Sequence, residues 1–143
     1  MTDEPERQEL RPQLRDERAP ADGVIVVRGG PSSIERLREH AHRTHDAYLL
    51  DGRDLWGISV FCALDDVGPG SLNALLQRFA SYRVVHLPTV GRVIDAGFEL
   101  LPSFRRPHFT IRLAGDDDPT LARLLGALGP EEPNPYHGGK RRP

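Results

Sequence analysis

With a single cysteine, Cys62, the chain can close no disulfide within itself and can build no multi-cysteine zinc site. Set in an apolar run, that thiol reads as a small buried hydrophobe. No stretch approaches the ~18 apolar residues that a membrane helix needs. The first twenty residues, MTDEPERQELRPQLRDERAP, also lack the apolar segment of a secretory leader. Neither sign of charge dominates: 21 acids face 19 bases for a formal charge of −2. Overall charge therefore argues against a general polyanion binder and against a membrane-surface protein. These absences give the expectation of a soluble, cytoplasmic, non-exported protein without a membrane partner, in which any nucleic-acid contact rests on a local patch.

What is present fits one domain. The 143 residues are enough for one core and too few for two sizeable ones. Residues 1–22 mix charges with Pro5, Pro12 and Pro20 and offer little to a core beyond Leu10 and Leu14, so they read as a disordered tail. Residues 130–143, rich in proline and glycine and ending Lys140-Arg141-Arg142-Pro143, read as a flexible basic second tail. Between them, residues 23–129 carry sustained apolar periodicity and form the expected globular unit.

Within that unit, residues 24–27 are a continuous apolar run closed by Arg28 and the Gly29-Gly30-Pro31 turn, as a central strand would be. Ser32-Ser33-Ile34-Glu35 opens a helix with Ile34, Leu37 and Ala41 on one face, expected to end before Tyr48, where residues 48–50 admit a short strand. Residues 56–64 make a second strand, with Ile58, Val60 and Cys62 on one face and Ser59 and Phe61 on the other. Ser71 caps a helix bearing Leu72, Leu75, Leu76 and Phe79. The densest signals lie in residues 82–113: a strand at 82–87, a short helix capped by Thr89 and stopped by Gly97, then extended segments at 99–102 and 107–113. In the last of these, Phe109, Ile111 and Leu113 alternate with His108, Thr110 and Arg112. Asp116-Asp117-Asp118-Pro119 supplies a cap and an N1 proline for a final helix carrying Leu121, Leu124, Leu125 and Leu128. The order predicts a single α+β domain, a mixed sheet of about five strands with about four helices.

Several residues have the types that chemistry needs. Arg28 stands at a strand terminus before Gly29-Gly30, where a guanidinium can grip a phosphate and the glycines let a ligand approach the backbone. Ser59 lies in Gly57-Ile58-Ser59-Val60, and Glu99 in Gly97-Phe98-Glu99-Leu100. In this order, arginine, serine and glutamate, the chain resembles mono-ADP-ribosyltransferase toxin domains. The resemblance implies a small bacterial-type, toxin-like enzyme with NAD as cofactor: Arg28, Gly29 and Gly30 would hold the diphosphate, Ser59 would support the nicotinamide pocket, and Glu99 would stabilise the transition state. It departs from that family in having Ile-Ser-Val where Ser-Thr-Ser is usual, and Gly97 two places before Glu99.

His108-Phe109-Thr110 offers another chemistry, because His-x-Thr on a strand puts an imidazole and a hydroxyl on one face. It is similar to half of a two-histidine phosphoesterase site, although His86-Leu87-Pro88-Thr89 is one residue too long to supply the other half. Arg83, His86, Arg105, Arg106, His108 and Arg112 lie close in sequence, and a metal-independent ribonuclease-like site around His108 draws on such cations. Strand alternation forbids all six from meeting. His40, His42, His45 and Asp46 on one helix lack a third ligand on a common face, and no metal is expected. The candidate catalytic residues are therefore Glu99, Ser59 and His108. The alternative class is a non-catalytic interaction module, with Arg28, Arg105 and Arg106 meeting an acidic partner and helix faces supporting a homodimer. Nucleotide or nucleic acid, and a neutralising protein partner, complete the expected set of partners.

Overall fold

The computed structural model describes residues 18–28 and 33–139. Residues 1–17 of the tail expected over residues 1–22, the glycine pair Gly29-Gly30 and the terminal Lys140–Pro143 lie outside the described residues. In chain order the elements are β1 (Val24–Arg28), α1 (Ile34–Leu49), β2 (Trp56–Ala63), α2 (Leu72–Arg78), β3 (Val84–His86), α3 (Val90–Asp95), β4 (Glu99–Pro102), β5 (His108–Leu113), α4 (Asp118–Leu128) and β6 (Glu131–Pro133). Together they form a single α+β unit with four helices and a six-stranded sheet, ordered β4-β5-β2-β1-β3-β6.

Local chemistry starts each helix where expected. Ser33, Ser71, Thr89 and Asp117 each accept a hydrogen bond from the backbone N–H three residues on, which satisfies a donor the helix itself leaves open. Gly97 ends α3 at φ +97°, a conformation that costs a side chain bearing a Cβ. Strand alternation then sorts the side chains into two layers. Ile25, Val27, Ile58, Val60, Phe109 and Ile111 meet α1, α3 and α4 on one face; Val26, Phe61 and Val85 meet α2 on the other. Burial of these apolar faces is the main driving force for the fold.

Three expectations are corrected. The sheet is not mixed, since every ladder in it is antiparallel. Helix α1 does not stop before a strand at Tyr48: it runs to Leu49, because the wholly buried Tyr48 anchors its last turn through a hydroxyl bond to Thr110 (2.8 Å). The segment from Pro130 to Gly139 is built into the fold. Glu131–Pro133 pair with β3, the buried Asn134 amide donates to the Leu76 and Phe79 carbonyls (3.1 and 2.9 Å), and the Tyr136 hydroxyl bonds Asn73.

One irregularity positions the chemistry. β1 pairs with β2 only where Val24, Ile25 and Val26 oppose Ala63, Cys62 and Phe61; its last residues, Val27 and Arg28, pair with β3 instead. β2 continues beside β5 all the way to Trp56. The sheet thus opens between β1 and the first half of β2. Helix α1 packs chiefly against β2, and His40 takes the place of a strand partner: its Nε2 accepts the Ser59 backbone N–H at 3.2 Å.

Candidate functional site

Ser59 and His108 come together through the register of β2 and β5. Ser59 pairs directly with Thr110 and Phe61 with His108, so Ser59 and His108 are diagonal neighbours on one face. The Ser59 hydroxyl meets His108 Nε2. On the other side of the ring, His108 Nδ1 lies 3.2 Å from the Ser103 carbonyl oxygen and 3.0 Å from Ser103 Oγ.

These contacts assign the protons. A carbonyl oxygen only accepts, so the bond to it requires the proton on Nδ1. Nε2 then carries the lone pair, and the Ser59 hydroxyl donates to it. A buried relay continues from Ser103 Oγ to Thr110 Oγ1 (2.7 Å) and on to Tyr48 OH (2.8 Å). Ser103 and Thr110 are fully buried, and His108 nearly so. Ser59 is the half-exposed member of the chain.

Aromatic rings frame the imidazole. Phe61 and Phe104 each present to it nearly edge to face, with centroids 5.0 and 4.6 Å from its own. Phe104 holds a positive φ of 54°, uncommon for a bulky residue and costly in itself. Gly57 leaves the space in which Thr110 sits: a Cβ there would lie 2.4 Å from the Thr110 methyl carbon and 2.8 Å from the Ile111 carbonyl oxygen.

Two guanidinium groups stand over the same rings. The Arg28 Cζ lies 5.8 Å from the Phe61 centroid and 5.6 Å from that of Phe79; for Arg78 the distances are 5.0 and 5.8 Å. Because Phe61 also touches His108, both guanidinium carbons fall within about 11 Å of the imidazole centre. Neither cation has a carboxylate partner among the described residues. His40, on the far side of Ser59, is pushed down to about 4 by burial, with Arg43 and then Arg28 adding repulsion, so it stays neutral near pH 7.

Other expected participants are placed elsewhere. Glu99 lies on the same face by register, opposite Arg112, but on the outer strand β4. Three strand spacings, about 14 Å, separate that strand from β1. Its exposed carboxylate pairs with Arg112 (3.2 Å) and lines hollows that contain neither Arg28 nor Ser59. The structure therefore joins Ser59 to His108, sets Arg28 over the Phe61 ring that touches His108, and leaves Glu99 apart. His86 turns into the interior, its Nδ1 bonded to the Gly129 carbonyl. Arg106 is engaged by Asp65, whose carboxyl that hydrogen bond holds below its ordinary range. His42 and His45 flank Trp56 and bond Asp116 and Asp54 separately. Thr110, on the same strand face as His108, is enclosed in the relay.

Sequence reasoning weighed His40 only as a metal ligand and missed the roles of Tyr48, Ser103 and Arg78. The spacing of His40, Thr44 and Tyr48 at i, i+4 and i+8 was the available signal for a helix face pressed against β2. Comparison with known proteins adds no assignment. No protein-family model matches the chain, and neither a curated protein nor a solved structure is significantly similar to it.

Proposed function

We propose that this chain is an enzyme acting on a phosphate ester, in a nucleotide or nucleic acid, with His108 moving the proton and Arg28 and Arg78 holding the phosphate. One observation carries the reading: an imidazole whose Nε2 meets the half-exposed Ser59 hydroxyl stands within about 11 Å of two guanidinium groups that have no carboxylate partner among the described residues. Fixed orientation is what general base catalysis requires. Unneutralised guanidinium groups attract an anion and match phosphate oxygens with paired donors.

The test is a panel of single-stranded RNA, mononucleotides and NAD, with products resolved by mass. Cleavage of a phosphate ester is expected, slowed roughly 10²- to 10⁴-fold in His108→Gln, the usual worth of a positioned acid or base. Arg28→Ala and Arg78→Ala should chiefly raise KM. Turnover indifferent to His108→Gln would refute the assignment. Release of nicotinamide from NAD with the phosphates intact would favour glycosyl transfer and return attention to Glu99.

A further inference from the structure

We propose that Ser59 is the attacking group, so that the reaction passes through a covalent phosphoserine at this position; this rests on the phosphate-ester reading above. Of the hydroxyls in the relay, those of Ser103, Thr110 and Tyr48 belong to wholly buried residues, and Ser103 and Thr110 are each bonded to other hydroxyls. Ser59 alone combines partial exposure with a bond to the imidazole lone pair. A serine hydroxyl is a weak nucleophile until a neighbouring base removes its proton, and the base must itself be oriented by a third group. Here Ser103 supplies that third group through its carbonyl and hydroxyl oxygens. The same logic operates in serine hydrolases, where a carboxylate usually holds the Nδ1 proton.

The steps balance. Ser59 Oγ attacks phosphorus and its proton passes to His108 Nε2; the Oγ–P bond forms as the P–O bond to the leaving alcohol breaks, and the imidazolium returns the proton to the departing oxygen. Water then attacks the phosphoserine and gives a proton to Nε2, the Oγ–P bond breaks, and that proton restores the Ser59 hydroxyl. His40 is a positioning residue. By accepting the Ser59 N–H it holds the strand edge that carries the nucleophile.

The full chain would be treated with diisopropyl fluorophosphate, which phosphorylates an activated serine with loss of fluoride, and the adduct mapped by peptide mass spectrometry. Labelling at Ser59 should exceed that at Ser33, Ser71 and Ser81 by at least about 100-fold, the lower range for an activating base. It should fall by a similar factor in His108→Gln and vanish in heat-unfolded protein. Inorganic phosphate should protect Ser59, and protection should weaken in Arg28→Ala. Absence of a Ser59 adduct in folded protein, or equal labelling of His108→Gln, overturns the proposal. If Ser59 is labelled but phosphate never protects it, the nucleophile stands and the phosphate-ester reading fails; if RNA is cleaved without any adduct, the substrate's own hydroxyl attacks and only the covalent step is lost.

Discussion

At the scale of single residues, His40 has the clearest energetic signature. Burial disfavours its charged form, Arg43 and Arg28 oppose it further, and its pKa falls from 6.5 to about 4. Folding therefore selects the neutral ring. The sign follows: a depressed histidine contributes stability that is complete above pH 6.5 and is lost as pH falls toward 4. The shift corresponds to an effect of order 3 kcal/mol at most, from about 1.4 kcal/mol per unit. Urea unfolding of the wild type from pH 7.5 to 4.5 should show a steeper loss of stability than His40→Gln, which keeps an acceptor but cannot charge. Parallel curves would show that the ring is not desolvated. Asp65 and Asp117 are also lowered, by hydrogen bonds from Arg106 and Thr120, but they act at still lower pH.

At the scale of elements, local signals and long-range ones divide sharply. Caps at Ser33, Ser71, Thr89 and Asp117 and the alternation in β2 and β5 are written in short stretches, and these elements begin within about a residue of where the sequence predicts them. β6 is different. Glu-Glu-Pro has little strand propensity and all three residues are exposed, so nothing in the triplet announces an edge strand. Its fixation comes from the next residues. Asn134 serves the carbonyls of Leu76 in α2 and of its C-cap Phe79 with one amide and accepts the Tyr136 N–H with its oxygen. Asn134→Ala should leave those buried groups unpaired and cost about 2–4 kcal/mol in urea unfolding, at ~1–3 kcal/mol per unsatisfied group. A cost under about 0.5 kcal/mol would mean that β6 docks without it. The site was only half legible for the same reason. Alternation put Ser59 and His108 each on a defined face, but their meeting depends on the β2–β5 register, which no local pattern encodes, and the resemblance joined Ser59 to Glu99 instead.

At the scale of the whole molecule, the sheet has two unequal sides. One carries the larger core under α1, α3 and α4; the other carries α2, the two arginine-capped phenylalanines and, by strand alternation, Ser59 and His108. A chain with a net charge of −2 nonetheless keeps two guanidinium groups over one pair of rings, neither with a carboxylate partner among the described residues. Everything proposed for function depends on which nitrogen of His108 bears the proton. Long-range ¹H–¹⁵N correlation of imidazole-labelled protein at pH 7.5, with His108→Gln to assign the signals, reads this directly. The account predicts the Nδ1–H tautomer for His108, with Nε2 unprotonated and its resonance displaced on addition of vanadate. A proton on Nε2 would turn the lone pair toward Ser103, leave Ser59 without a base, and contradict the account.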